Sequence, residues 1–176
     1  MKLTLRGFLV LCAALLAGCH STPLNDAVKL DGTEFPILGP YQVITVTPFS
    51  LGPKAPPSPG LGQQLAESVG STLRAQFSSF FPTIRVGQPL GQDNEMVVSG
   101  LIEAFNPQPG NLKLDGQMRL QDASDGEDLA FGTFTELRKN AGLVAPANEV
   151  ELVSQTGAAI AFNLARAKGW RPAGTP

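Results

Sequence analysis

Polar and apolar residues alternate along much of the second half of the chain, a pattern typical of β-strands with one face exposed to water. The alternation is clearest over residues 112–121. Its apolar members are Leu112, Leu114, Met118 and Leu120. Four further strands are predicted from runs of apolar or β-branched residues: 41–47, 83–86, 96–105 and 128–137. Pro48 ends the first of them.

Two stretches instead repeat their apolar residues every three or four positions, as amphipathic helices do. The first helix is predicted over residues 59–79, with Ser58-Pro59 as its start. Its inner stripe is Leu61, Leu65, Val69, Leu73 and Phe77. The second helix is predicted to run from Asn148, which forms a capping pair with Glu151, to a stop at Gly169. Its inner stripe is Val150, Val153, Gly157, Ile160, Ala161 and Leu164.

These elements predict an α+β fold with a single mixed or mostly antiparallel sheet of four to five strands and two helices packed on one face. A chain of 176 residues suits one domain with a tether. The predicted organisation is a signal peptide over 1–18, a lipidated tether over 19–39, one α+β domain over 40–171 and a loose carboxyl-terminal end over 172–176.

The amino-terminal segment is basic and then apolar. Lys2 and Arg6 precede an apolar run from Phe8 to Leu16, and the small residues Ala17-Gly18 follow it. That order is typical of a secretory signal. The run is shorter than the roughly 20 residues that span a bilayer. The segment therefore predicts a removable signal rather than a permanent anchor.

Leu16-Ala17-Gly18-Cys19 resembles the lipobox of bacterial lipoproteins at all four positions. The resemblance implies cleavage between Gly18 and Cys19, a diacylglycerol on the Cys19 sulfur, and an acyl chain such as palmitate on the new amino terminus. The alternative is an ordinary signal peptide with a cysteine at this position by chance. In enteric lipoproteins an aspartate after the cysteine retains the protein at the inner membrane. Because His20 stands there, the resemblance implies lipid anchoring at the periplasmic face of the outer membrane, with the inner membrane as the alternative.

Composition narrows the chemistry that remains after cleavage. Cys12 lies in the signal and Cys19 is taken by lipid, so no thiol is left for a disulfide, a metal site or a nucleophile. The one histidine, His20, lies on the tether without a pocket around it, which argues against His-assisted catalysis. Of 13 basic and 15 acidic side chains, cleavage removes Lys2 and Arg6 and leaves 11 against 15. Without a run of cations, nucleic acid is not an expected partner.

An acidic cluster between the last two predicted strands invites a calcium interpretation: Asp122, Asp125, Glu127 and Asp128. With Gly126 at the sixth position of an EF-hand loop, Gln121 and Gly132 fall where carboxylates are needed. The cluster is therefore interpreted as a solvated hairpin turn, and no metal or cofactor is expected. The other carboxylates considered, Glu103, Asp115, Glu136 and Glu151, are interpreted as solvent-facing charges, and the chain is not expected to be an enzyme.

Three aromatic residues stand at the ends of predicted elements: Phe80, Phe81 and Trp170. Such residues most often pack into the rim of a domain. If exposed, they would form a patch suited to contact a partner or a membrane.

The order of elements resembles small envelope lipoproteins with a fold like the amino-terminal domain of TolB, and also the ABC-type transport auxiliary lipoproteins. The stretches that carry the resemblance are 43–49, the helix through Leu65 and Leu73, the strand 97–105, the next strand with Met118 and Leu120, and the final Ala-rich helix. The resemblance implies a non-enzymatic accessory or assembly component of an envelope transport or secretion system, with other envelope proteins as partners.

The alternative function is binding of a small lipid or glycan fragment between the sheet and its helices. It is motivated by small residues that would leave room in the core: Gly100, Gly116, Gly132 and Gly157. A fully packed core would argue against it.

Overall fold

The computed structural model describes residues 28–31, 38–55, 58–108, 111–139 and 149–171. The strands in these ranges are β1 (Val28–Asp31), β2 (Val43–Val46), β3 (Ser50–Leu51), β4 (Thr83–Val86), β5 (Glu95–Gln108), β6 (Asn111–Asp122) and β7 (Asp128–Lys139). The helices are α1 (Leu61–Gln76), which follows β3, and α2 (Glu149–Ala167), which follows β7.

The described strands join one sheet in the order β1-β7-β6-β5-β2-β4, and β3 pairs with β5 beside this path. β2 is parallel to both of its neighbours, β4 and β5. From β5 onward, β6, β7 and β1 follow as antiparallel neighbours. The predicted α+β class with a single mixed sheet is therefore confirmed. The sheet exceeds the four to five strands predicted because β1 and β3 did not stand out in the sequence pattern.

β1 lies inside the stretch 19–39 that is predicted as tether. Val28 pairs with Phe134 of β7, and Asp31 pairs with Phe131. The pairing satisfies backbone groups of both strands, so it extends the sheet on the amino-terminal side of residue 40. Residues 32–37, which connect this strand to the rest of the domain, lie outside the described ranges.

α1 buries the predicted stripe, since all five of its apolar residues are in the core. The predicted start at Ser58-Pro59 is wrong, however. Gly60 occupies the N-cap position in the left-handed region, with φ 84°, and no side chain caps the helix. The Ser58 hydroxyl instead donates to Glu149 at 3.1 Å, which links the start of α1 to the start of α2.

α2 also buries most of its predicted stripe, with one exception. Val150 is 71% exposed, while the neighbouring Leu152 and Thr156 are buried. The buried face is therefore wider than predicted and includes Leu152, whereas Val150, in the first turn, is exposed. The hydroxyl of Thr156 bonds the carbonyl of Leu152 at 2.9 Å, which lets a polar residue sit on the inner face.

One face of the sheet carries both helices. Alternate strand residues such as Ile44, Met96 and Leu114 are fully buried and join the helical stripes in one apolar core. α1 packs mainly over β2 and β4, and α2 over β1, β6 and β7. The opposite face of the sheet, called the open face below, has no helix over it in the described part of the chain.

Candidate functional site

The predicted lipidation site, Cys19, and the cleavage position after Gly18 lie outside the described residues. The same holds for the signal peptide 1–18 and the end segment 172–176. Lipidation therefore stays a prediction from the sequence motif. Within the described residues, neither helix is long and apolar enough to cross a membrane.

The aromatic residues predicted as a possible partner surface lie mostly inside the domain. Phe81 is completely buried, so its assignment to an exposed patch is wrong. Its ring lies under the ammonium of Lys168, 4.8 Å from the ring centroid. Phe80 is half-buried against the core. Trp170 is also half-buried and packs edge-to-face on Phe77, with the ring centroids 5.3 Å apart. The interpretation of these residues as rim packing agrees with their positions.

A buried carboxylate ties a loop to the open face near β2. Glu95 is completely buried, and its Oε1 accepts a hydrogen bond of 2.6 Å from the Thr45 hydroxyl. Its Oε2 accepts from the backbone amides of Leu90, at 2.8 Å, and Gln92, at 3.3 Å. Burial opposes ionisation of this carboxyl, but the hydrogen bonds from Thr45 and the loop amides outweigh it and lower the pKa of Glu95. The Glu95 carboxylate therefore holds the loop 87–94 against the sheet.

A groove opens farther along the open face, between the segment after β2 and strands β5 to β7. Its volume is about 370 Å³, and its walls include Thr47, Ser99 and Gln117. Phe131 lies at its side and is 48% exposed. The guanidinium of Arg119 stacks over the Phe131 ring, 5.2 Å from the centroid. An exposed aromatic ring beside polar side chains is the composition of many protein contact sites.

The Arg119 side chain is also held by an ion pair. Its Nε lies 3.4 Å from the Asp128 carboxylate at the start of β7. The alternation over residues 112–121 predicts that Arg119 faces water, whereas no sequence pattern singled out Phe131. Phe131 pairs with Arg119 across the two strands and therefore shares its face, a relationship that depends on the register of the hairpin.

The acidic hairpin between β6 and β7 is held by internal hydrogen bonds. Asp122 accepts from the amide and the hydroxyl of Ser124, at 2.8 and 2.6 Å, and Asp125 accepts from the amide of Glu127 at 2.8 Å. Tyr41 donates to Asp122 at 2.6 Å from the other side. These bonds lower the pKa of Asp122, those from Ser124 and Tyr41 most. In the described ranges no cluster of three or more acidic, His or Cys side chains is arranged to hold a metal ion.

Three of the four glycines expected to leave room in the core are closely covered instead. A Cβ on Gly100 would lie 2.4 Å from the Phe49 ring, and one on Gly116 would lie 2.3 Å from the Phe134 ring. A Cβ on Gly157 would lie 2.3 Å from the Ser68 hydroxyl oxygen, where α1 and α2 meet. Neighbouring side chains occupy these spaces, so the three glycines permit close packing and do not line a ligand cavity.

Comparison with known proteins shows which solved structures share the fold of this chain, but it assigns the chain to no family. No protein-family model matches the chain, and no curated protein sequence matches it. Among solved structures, the PelC dodecamer from Paraburkholderia phytofirmans is similar, with a TM-score of 0.57 at 18% identity over 82% of this chain and 98% of that one. Protein XCC0632 from Xanthomonas campestris, described by the family model DUF330, gives a TM-score of 0.51 at 14% identity over 72% of this chain and 87% of that one. The chain therefore shares its fold with these two bacterial proteins.

Proposed function

We propose that this chain is a non-enzymatic lipoprotein of the bacterial envelope. It is anchored through lipid on Cys19, and its folded domain serves as an accessory or assembly component of an envelope transport or secretion system. The observation that carries the proposal is the motif ending in Cys19, placed directly after a basic start and an apolar run. The fold shared with two bacterial proteins supports it. His20 after the cysteine favours the periplasmic face of the outer membrane.

The domain supports contact with a partner better than internal ligand binding. The packing around Gly100 and Gly116 argues against a ligand held between sheet and helices. The open face offers an exposed aromatic ring, Phe131, beside the polar groove. We place the contact with an envelope protein on this face, because the ring is already held in position by Arg119 and loses little freedom on binding.

The anchoring half of the proposal is tested by replacing Cys19. The Cys19→Ala variant should lose lipid and leave the membrane fraction, whereas the matched Ser21→Ala variant should stay there. Fractionation of cell envelopes and mass spectrometry of the amino-terminal peptide measure this. A Cys19→Ala protein that remains in the membrane would contradict the proposed anchor.

The contact half is tested by cross-linking in intact envelopes. Phe131→Ser should abolish cross-links to an envelope protein, while Thr133→Ser on the same strand and face should keep them. Circular dichroism confirms that both variants are folded. If wild-type protein yields no cross-linked envelope protein, or if both variants yield the same one, the open face is not the contact site.

A further inference from the structure

The two helices lie side by side and point in the same direction. Near their first halves, the Ser68 hydroxyl of α1 donates to the carbonyl of Ser154 on α2 at 3.1 Å. Near their ends, the ring of Phe77, directly after α1, packs on Phe162 of α2 with the centroids 5.0 Å apart. Residues in the first half of α1 therefore contact the first half of α2, and residues at the end of α1 contact the second half of α2. Because the helices are parallel, their dipoles add: both positive ends lie together, and so do both negative ends.

Charged side chains are segregated along this pair of helices, called the helical layer below. Glu149 and Glu151 lie in the first turn of α2, and Glu67 lies in the first half of α1. Arg74 and Arg166 lie in the last turns. The ion pairs Lys113–Asp115 and Arg119–Asp128 lie on the sheet, so they do not neutralise charged side chains of this layer. The outer surface of the helical layer thus has an acidic end and a basic end.

A groove lined by polar residues and two valines separates the two helices in their first halves. Its volume is about 580 Å³, and α1 contributes Glu67 and Ser71 to its walls. From α2 it is lined by Val150, the most exposed of the large hydrophobic residues described, and by Val153. The groove therefore adds exposed apolar surface to a face whose charges are divided by sign.

We propose that a second copy of this chain docks on the helical layer in the opposite orientation, around a two-fold axis that passes near Ser71. Glu67 and Arg74 are seven residues apart, about 10 Å along α1 and on the same face. Ser71 lies between them and is exposed. A two-fold axis there brings Glu67 of each copy opposite Arg74 of the other. It also sets the helix dipoles of the two copies antiparallel.

The charge pattern is complementary to itself, which favours a second copy of the chain as the occupant. A basic partner surface would be repelled by Arg74 and Arg166, and an acidic one by Glu67 and Glu149. A matching partner must carry both signs in reverse order along the contact, which a second copy does once it is turned around. The interface goes beyond the proposed anchoring role, and it would form whether or not Cys19 carries lipid.

Cysteine cross-linking tests the position of the axis in the full-length chain in native membranes. Under mild oxidation, the Ser71→Cys variant should form a disulfide-linked homodimer on non-reducing gels. The parent chain, which reports any linkage through Cys12 or Cys19, should not form it. Thr133→Cys, on the open face, should also remain unlinked. Linkage through Thr133→Cys alone, or linkage of Ser71→Cys to a different protein, would overturn the proposal.

A charge exchange tests the pairing independently. Glu67→Arg and Arg74→Glu should each weaken dimerisation of the detergent-purified full chain by about tenfold or more, since each variant replaces two attractive pairs by repulsive ones. The double variant Glu67→Arg/Arg74→Glu should restore it to near the wild-type level. Sedimentation velocity measures the dissociation constant, and circular dichroism verifies folding. Single variants without effect, or a double variant that fails to recover, would refute the pairing.

Discussion

The ring of Phe49 lies directly over Gly100, so that a Cβ at this glycine would come within 2.4 Å of the ring carbons Cδ1 and Cε1. The same ring packs edge-to-face on Phe134, with the centroids 5.9 Å apart and an angle of 79° between the ring planes. Phe134 in turn covers Gly116. Two glycines and two phenylalanines thus interlock across β5, β6 and β7, and this packing closes the space that a ligand carrier would need.

Substitution of Gly100 by alanine should destabilise the domain by about 1–3 kcal/mol, the usual cost of adding a carbon to a packed core. Relief by movement of the Phe49 ring is restricted, because the carbonyl oxygen of Gln117 would also lie 2.6 Å from the added carbon. Urea unfolding followed by fluorescence of Trp170, the sole tryptophan, measures the loss. Ser99→Ala, on the opposite face of the same strand, should change stability by less than about 0.5 kcal/mol. Equal midpoints for the two variants would contradict the close packing.

Substitution of Glu95 by glutamine should cost about 1–3 kcal/mol at neutral pH, because an NH₂ group would replace one acceptor oxygen and oppose the Thr45 hydroxyl or the loop amides. The lowered pKa of Glu95 means that its ionised form stabilises the fold above the carboxyl's unfolded pKa of about 4.3. That contribution is lost as the pH falls through the lower pKa that Glu95 has in the folded protein. The difference between wild type and Glu95→Gln should therefore shrink on acidification.

The control for this prediction is Glu103→Gln, since Glu103 is exposed and its carboxylate accepts a hydrogen bond from another surface side chain, Gln117. Its effect should be below about 0.5 kcal/mol at neutral pH. Urea midpoints of all three proteins at pH values on both sides of the carboxyl range provide the comparison. A stability difference for Glu95→Gln that stays constant with pH would show that the charge is not the stabilising feature.

The regular strands and helices could be predicted because their signals are local. Alternation over 112–121 fixes which residues of β6 face the core, and four-residue spacing does the same for α1. β1 could not be predicted in this way. Its four residues, Val28–Asp31, are too few for a sequence pattern to distinguish a strand from a tether. They form a strand because they pair with β7, about a hundred residues away in the sequence. Val150 fits the periodic stripe of α2, yet it lies in the first turn and is 71% exposed, and the sequence period does not show how far along a helix the core extends.

The candidate surfaces were harder to predict because they depend on the fold of neighbouring loops and turns and on strand register. Glu95 resembles an ordinary surface acid in the sequence, and its burial depends on the loop 87–94 folding back over the sheet. For Phe81 the sequence left rim packing and an exposed patch as alternatives, and the turn after α1 directs its ring inward beneath Lys168. Exposure of Phe131 follows from strand register, which is set by pairing and by the β6–β7 hairpin.

Truncation of Phe81 to alanine should destabilise the domain by about 3–5 kcal/mol, because the whole ring is removed from a filled core. Phe80→Ala should cost less, since that ring is only partly buried. Thermal unfolding monitored by circular dichroism compares the two neighbours. A larger loss for Phe80→Ala would contradict the inward direction of Phe81.

The single tyrosine of the chain, Tyr41, gives an optical reporter of the domain in alkaline solution. Burial raises the pKa of its phenol, and the hydrogen bond to Asp122 together with the charges of the hairpin raises it further. The protonated phenol therefore stabilises the fold fully below the unfolded pKa of about 10, and this stabilisation is lost as the pH rises through the higher pKa of the folded protein.

Near-ultraviolet titration should give a midpoint for Tyr41 above that of free tyrosine. Asp122→Asn should lower the midpoint, whereas Asp128→Asn, which removes a hairpin charge bonded to Arg119 instead, should leave it nearly unchanged. Identical midpoints in the two variants would show that Asp122 does not hold the phenol.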